Sequence, residues 1–391
     1  MSTSSSPIRV LRLISRMNVG GPAVQISGLM RTLPQDEFEQ VLATGYCDEG
    51  ELDFLEASHI NIPVTRVSGF GRRIGGVSDL KAFLQIRRLM KQFNPHIIHT
   101  HTAKAGVLGR VASLITSRSH IRIHTFHGHL LHGYFGKFKT CLVIAIEKFL
   151  AFFTHQLVAV GQQVCDDLIS VGIGNLDKFN VIGPGLELRE LPNRLAAHDS
   201  LGIQNHNFTI SWVGRLVPIK APIRILEVAR ACIANELQVR FLVVGDGPLK
   251  RELQDLALKE QLPIDFLGWQ SDIEPVLAVT DLMLLTSLNE GMPVSLIEAQ
   301  MAGIPVISTD VGSVSEVIKP EESGCCLNYS SLDFAMKIAK LVNDGELYKE
   351  FCSAAKGNAE TNFSLKRLAN DYSKLYKKSI NEASDLPIVE V

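Results

Sequence analysis

The sequence predicts an α/β protein built from two doubly wound parallel-sheet domains, and three observations lead there. Short β-branched runs alternate with longer helical patterns along the whole chain, as they do when parallel strands are joined by crossover helices. The 391 residues exceed the roughly 250 to 300 that one hydrophobic core supports. Turn-forming residues at Gly183-Pro184-Gly185 and Leu191-Pro192-Asn193, with the polar run up to Asn207, read as a linker between two series of such units.

In the first series the strands are expected at Ile8–Ile14, Gln40–Thr44, His96–Thr100, Ile121–Thr125, Gln156–Val160 and Phe179–Ile182. In the second they are expected at Phe208–Val213, Val239–Val244, Ile264–Leu267, Leu282–Thr286 and Pro305–Ser308, with Cys325-Cys326 a strand detail. This divides the chain into a first domain over residues 1–190, a second over 191–364, and a C-terminal segment over 365–391. The basic, amphipathic pattern from Leu365 to Ile380 fits a helix packing back across the linker onto the first domain. A cleft is expected between the two domains.

The composition is that of an ordinary globular protein, and a net charge of −2 carries no nucleic-acid signature. That balance hides an asymmetry: residues 1–190 hold 20 Lys and Arg against 15 Asp and Glu, leaving −7 for the remainder. The first half is suited to face something anionic. Seven cysteines without CxxC spacing argue for a reducing compartment and against a disulfide framework. Residues 1–7 are polar and the apolar run Val10–Ile14 is too short for a secretory signal, so a cytoplasmic location is expected. The most membrane-like stretch, Tyr134–Phe153, is interrupted by Lys137, Lys139, Glu147 and Lys148 and is too charged to span. Two readings of it stay open: an amphipathic helix lying on an anionic bilayer, which would make a peripheral membrane contact at the inner face, or an ordinary half-buried helix.

The chemistry concentrates in loops that follow strands, where open parallel sheets bind ligands. Between Asn289 and Ile307, Glu290 precedes and Glu298 lies within a helix for which Pro293 is expected at the first position. The two carboxylates are spaced to grip two hydroxyl-rich groups, with Glu298 on the face of Val294. The amides of Gly291 and Met292 are expected where a helix start favours a phosphate. After the strand ending at Val213, Arg215 and Lys220 flank one short loop and could neutralise a diphosphate, though a solvated pair fits as well. Gly245-Asp246-Gly247 forms another strand-to-helix turn, without the spacing of a dinucleotide fingerprint. Near the N-terminus, Gly20-Gly21 precedes a helix expected over Ala23–Leu33; the glycines suit close backbone approach to a diphosphate or a plain tight turn.

Eight of the twelve histidines fall between His96 and His132. His99 and His101 share one side of a strand by period two, and Phe126-His127-Gly128-His129 closes the next strand. No carboxylate or cysteine set accompanies them, so no metal site is expected. A neutral imidazole at His127 is suited to bond a sugar hydroxyl or to steady developing charge.

Together these segments resemble the family-4 retaining glycosyltransferases, which have the GT-B architecture of two facing Rossmann-like domains. The likeness covers nearly the whole chain. It is most specific in the Glu-X7-Glu pattern of Glu290 and Glu298 combined with Gly214-Arg215 and Lys220. The resemblance implies that Arg215 and Lys220 bind the donor diphosphate, that Gly20 and Gly21 close over it, that Glu290 holds the donor sugar, and that Glu298 accepts from the ribose. It places His127 beside the anomeric centre and Gly268-Trp269 at the nucleobase edge, with Gly245 and Asp246 nearby.

Two departures stand out: Ala221 where the family often has glycine, and Gly183-Pro184-Gly185 in place of a common Pro-Asn-Gly turn. The activity implied is retaining transfer of a hexosyl unit from a nucleoside-diphosphate sugar, a UDP-sugar favoured, to a glycan or lipid-linked acceptor in polysaccharide biosynthesis, without cofactor or metal. Two alternatives share parts of this pattern. A non-hydrolysing sugar-nucleotide epimerase would want acidic residues where the first domain offers His and Gly. A non-catalytic nucleotide-sugar-binding protein would not need Arg215, Lys220, Glu290 and Glu298 all intact.

Overall fold

The computed structural model describes residues 6–58, 60–71, 75–117, 119–128, 137–204 and 208–384. The chain divides into two compact units, one formed by the residues up to Gly185 together with those from Leu365 onward, the other by Leu186–Ser364. The change of unit falls at Gly185, five residues ahead of the boundary read from the sequence.

In the first unit, the elements in chain order are β1 (Ile8–Ile14), α1 (Gly21–Thr32), β2 (Phe38–Thr44), α2 (Phe54–Ala57), β3 (Val64–Arg66), α3 (Gly76–Phe93), β4 (Ile97–His101), α4 (Ala103–Thr116), β5 (Ile121–Phe126), α5 (Lys137–Phe152), β6 (Gln156–Ala159), α6 (Gln162–Ser170) and β7 (Phe179–Val181). The second unit contains α7 (Arg194–Leu201), β8 (Thr209–Val213), α8 (Ile223–Ala234), β9 (Arg240–Val244), α9 (Lys250–Lys259), β10 (Ile264–Gly268), α10 (Glu274–Val279), β11 (Leu282–Leu285), α11 (Val294–Met301), β12 (Val306–Thr309), β13 (Gly324–Leu327), α12 (Ser331–Asn343) and α13 (Gly345–Asn362). The last helix, α14 (Leu365–Ser384), returns to the first unit.

Both sheets are wholly parallel. The first has the order β3-β2-β1-β4-β5-β6-β7 and the second β10-β9-β8-β11-β12-β13. In each, the order reverses beside the first strand, between β1 and β4 and between β8 and β11. Such a switch point opens a crevice at the carboxyl edge.

Three sequence expectations are corrected. The short edge strand β3 was not foreseen, and of β13 only Cys325-Cys326 was expected as strand. The three residues of β3 pair on one side only, and β13 opens with a glycine that packs where a Cβ would lie 2.3 Å from the Val306 carbonyl. Cys325 and Cys326 sit in that strand. The polar stretch read as linker contains α7, whose ends were legible only as turn formers: the Asn193 side chain caps it by accepting from Leu195, and Gly202 closes it in the left-handed conformation at φ 64°. Arg194 grips Asp281 through both nitrogens at 2.8 Å, which ties α7 to the second sheet. The helix at the glycine pair starts at Gly21 instead of Ala23.

One face of the first sheet is covered by α1 and α14. Val10, Ile97, Ile121, Ile123 and Val158 pack there against Leu29, Leu33, Leu368, Ala369, Tyr372 and Tyr376. The opposite face, with Leu11, Leu13 and Ile98, takes Ala82, Ile86 and Met90 of α3 and Ala105 and Ala112 of α4. Beyond α4 lies α5, joined to it by a fully buried ion pair, Arg110 Nη2 to Glu147 Oε2 at 2.6 Å. Glu147, which counts as a surface charge in the sequence, therefore points inward. The start of the expected 134–153 helix, together with His129, lies outside the described residues.

Removing one partner of such a pair leaves a buried charge without compensation. Glu147→Ala is expected to lower unfolding free energy by about 3 to 5 kcal/mol in urea titration, while Arg110→Met with Glu147→Leu recovers most of the loss. An unchanged midpoint in the single variant would contradict this account.

Candidate functional site

The second unit gathers its chemistry at the carboxyl edge beside the β8/β11 switch point. The loops after β8, β9 and β10 are laced together: the Gly214 amide donates to the Val244 carbonyl (3.0 Å), Leu216 to Asp246 (2.9 Å) and Gly245 to Gly268 (2.7 Å). This lacing accounts for the glycines. At Gly245, with φ +133°, an added Cβ would lie 1.9 Å from the Gly214 oxygen, and at Gly247 2.4 Å from the Leu216 oxygen. What approaches these glycines closely is the neighbouring loop that carries Arg215. Asp246 is held by Lys250 (2.9 Å) and by the Gly247 amide (2.7 Å), and its pKa is depressed chiefly by the Lys250 bond. Gly268 takes φ 68° and delivers a partly exposed Trp269.

After Arg215 the chain makes a 3-10 turn over Pro218–Lys220 that ends at Ala221 in the left-handed conformation, φ 43° and ψ 51°. That geometry is why a glycine is common there, and Ala221 bears the steric cost. The turn is strapped to the loop following β11: Leu288 N–H donates to the Ile219 carbonyl (2.8 Å), and Thr286 Oγ1 donates to the Lys220 and Ala221 carbonyls while accepting from Trp212 Nε1.

Lys220 Nζ therefore meets Glu290 Oε1 at 2.5 Å, and Ser287 Oγ donates to the same oxygen at 2.6 Å. Glu290 is 9% exposed. Arg215 is exposed and makes no ion pair with a described residue. The structure thus joins Lys220 and Glu290 directly and leaves Arg215 open to an anion. Ser287, three residues ahead of Glu290, was missed in the sequence, where a serine after a strand carries no signal.

Pro293 is buried and occupies the capping position with extended backbone (ψ 112°), so α11 starts one residue later than expected, at Val294. The first helical amides are accordingly those of Val294 and Ser295, not of Gly291 and Met292, because Leu296 N–H already bonds the Pro293 carbonyl. One turn into α11, Glu298 is half-buried. Burial first, and the Glu274 carboxylate second, push its pKa up to about 8. Glu274 in turn accepts from Arg189 Nε at 2.9 Å. Neither residue was singled out in the sequence; Glu274 comes to Glu298 from α10, and Arg189 comes to Glu274 from the segment ahead of α7.

In the first unit, Gly20 caps α1 with φ 156°; a side chain there would meet nothing within 4 Å, so the backbone angle alone asks for glycine. His99 and His101 do share a face, with ring centroids 4.1 Å apart. His101 Nδ1 lies 2.9 Å from Nε2 of His127, just past β5. Burial lowers the His127 pKa to about 4, which keeps the ring neutral. Among the described residues, no group of three or more His, Cys, Asp or Glu could hold a metal ion.

The profile of the family described as Glycosyltransferase Family 4 matches residues 19–190, and that described as Glycosyl transferases group 1 matches residues 193–358. The chain is a family-4 glycosyltransferase of GT-B fold. A relative from Escherichia coli, the UDP-Gal:alpha-D-GlcNAc-diphosphoundecaprenol alpha-1,3-galactosyltransferase, is 28% identical over 88% of this glycosyltransferase and 90% of its own length. The capsular polysaccharide biosynthesis glycosyltransferase CapM of Staphylococcus aureus is 24% identical over 85% and 94%. The crystal structure of Anabaena HepE in complex with UDP and glucose aligns over 95% of this chain and 99% of its own with a TM-score of 0.79 at 20% identity, a likeness of fold.

The shifted Glu298 carboxyl makes stability depend on pH. Folded protein keeps that proton up to about 8, whereas the unfolded chain releases it near 4.5. Between these values the folded state binds more protons, so this contribution is fully present below 4.5 and is lost as pH rises through 8. Thermal melts from pH 5 to 8.5 are expected to show wild type falling relative to Glu298→Gln; parallel profiles would refute the assignment.

Proposed function

We propose that this glycosyltransferase moves a hexosyl unit from a UDP-sugar to a lipid-linked glycan acceptor with retention of configuration. The observation that carries the reading is the cationic pair at the β8/β11 switch point, an open Arg215 beside a Lys220 already bonded to Glu290. Arg215 and Lys220 take the diphosphate, helped by the amides that start α11. Glu290, steadied by Lys220 and Ser287, accepts from the hydroxyls of the transferred sugar. Glu298 engages the ribose and Trp269 borders the base. His127 of the first unit offers a neutral imidazole to the sugar, and Gly20-Gly21 offers backbone amides to phosphate. The names of the E. coli relative, with UDP-Gal and a diphosphoundecaprenol acceptor, and of the UDP-bound Anabaena structure support the donor and acceptor classes.

In this reading the bond between C1 of the sugar and the diphosphate oxygen breaks while the acceptor oxygen bonds C1 from the same face. The acceptor's proton passes to the departing diphosphate, whose charge Arg215 and Lys220 offset. Such preorganised donors supply about 3 to 4 kcal/mol each. No resident metal or cofactor is needed for this step.

A lipid-linked acceptor also suits the outer surface of the first unit. With Glu147 turned inward, α5 presents Leu142, Ala145, Ile146, Phe149 and Phe152 outward, with Phe149 63% and Phe152 77% exposed. On the other side of α4, α3 exposes Val77, Leu80 and Leu84 beside Lys81, Arg88 and Lys91. An apolar face flanked by cations fits the inner leaflet of the cytoplasmic membrane. No helix among the described residues is long and apolar enough to cross a membrane.

Thermal shift against UDP, GDP, ADP and their sugars tests the donor. UDP at a hundred times its dissociation constant is expected to stabilise wild type by about 2.7 kcal/mol and to fail on Arg215→Ala and Glu298→Ala. Selective stabilisation by GDP or ADP would overturn the donor class, and an inverted anomeric signal in the product would overturn retention. Co-sedimentation with vesicles containing phosphatidylglycerol is expected for wild type and not for Phe149→Ser with Phe152→Ser; equal sedimentation of both would remove the membrane reading.

A further inference from the structure

The histidines of the first unit form a sequence of bonds whose proton positions can be worked out from one end. We propose that His101 sets the tautomer of His127, so that His127 meets its ligand as a neutral N–H donor at Nδ1 and does not serve as a base. The proposal rests on the reading that His127 faces the transferred sugar.

Arg12 is fully buried on β1 and has no acidic partner among the described residues. Its Nη1 lies 3.1 Å from His99 Nδ1 and 2.8 Å from the Tyr376 hydroxyl of α14. A guanidinium only donates. The Tyr376 oxygen therefore accepts from Arg12 and turns its own hydrogen to His99 Nδ1, 2.7 Å away. Nδ1 of His99 is thus a lone pair and its proton sits on Nε2, donated to Thr125 Oγ1 at 2.7 Å. Thr125 stands 3.2 Å from the Tyr372 hydroxyl, so α14 holds this ring through both of its tyrosines.

His101 stacks on that fixed ring. It is 2% exposed, and burial together with His99, His127, Arg12 and His124 holds it neutral. A neutral ring has one proton for two nitrogens. His101 Nε2 is buried without a partner among the described residues, while Nδ1 faces His127 Nε2 at 2.9 Å. With the proton on Nε2, a buried N–H would go unpaired; with the proton on Nδ1, only a lone pair does. Orphaned buried N–H groups are the rarer case. His101 therefore donates, His127 accepts at Nε2, and the single proton of His127 lies on Nδ1, which has no partner among the described residues.

The test uses the full chain labelled with 15N-histidine and long-range 1H–15N correlation at neutral pH, with the His127 signals identified by their loss in His127→Phe. A protonated Nδ1 and a bare Nε2 are expected for His127. His101→Phe keeps the stacked ring and removes the donor: it should release the tautomer and lower kcat for UDP release from UDP-glucose or UDP-galactose by roughly ten- to a hundred-fold, with KM for the donor little changed. His101→Asn, which restores an N–H close to the Nδ1 position, should recover both. A wild-type His127 protonated at Nε2, or a spectrum unaltered in His101→Phe, would overturn the proposal, and the wild-type spectrum decides it even if that variant does not fold. Absence of UDP release from the wild type, with the Nδ1 tautomer present, would instead count against the sugar-transfer reading.

Discussion

Parallel pairing is the constraint on which the rest of this molecule depends. Because every strand in both sheets runs the same way, every loop that follows a strand leaves at one edge, and the reversal of order beside β1 and β8 parts those loops into two groups. Arg215 and Lys220 come from one side of the second switch point and Glu290 from the other. No helix or hairpin could bring them together from 70 residues apart with a bond of 2.5 Å. The loops themselves are held by backbone bonds to one another, so the side chains project from a frame that owes nothing to a ligand.

The first unit uses a different device. Its sheet buries Arg12, His99, His101 and Thr125 on the face closed by α14, a costly set of groups that is tolerable only when each finds a partner. Tyr376 bonds Arg12 and His99 and Tyr372 bonds Thr125, so the helix that closes the apolar core also supplies partners to the polar strip running through it. Packing and proton placement are then a single problem, solved by the same two side chains.

Much of this was legible in the sequence, for reasons that can be stated. β11 reads as a continuous apolar run, and β1, β5 and β8, though they carry buried polar residues, still read as short strand-like runs rich in apolar and β-branched residues between helical patterns. The Glu290 and Glu298 spacing and the His99, Thr100, His101 alternation are local patterns that survive without coordinates. What escaped depends on long-range partners or on weak edges. β3 is short and pairs on one side, β13 showed only its cysteine pair, α7 announces itself only through Asn193 and Gly202, and Ser287, Glu274 and Arg189 matter because folding delivers them to a carboxylate. The inward turn of Glu147 was hidden for the same reason: its partner Arg110 is on another helix. Pro293 was placed one position late in its role, inside the helix instead of capping it, a distinction that rests on a single ψ angle.

The path of the chain has a consequence for how the protein is made. The second unit is continuous from Leu186 to Ser364, whereas the first lacks α14 until residue 365 has been synthesised. The crossings lie side by side, with the Leu186 amide bonded to the Phe363 carbonyl at 2.8 Å. During vectorial synthesis, at about 5 to 20 residues per second, the half that emerges first must keep the face of Val10, Ile97 and Ile123 uncovered, and Arg12 without its tyrosine, while the later half is completed. Maturation therefore runs opposite to the order of translation, and the nascent first sheet is the stage at which a chaperone would have the most to protect.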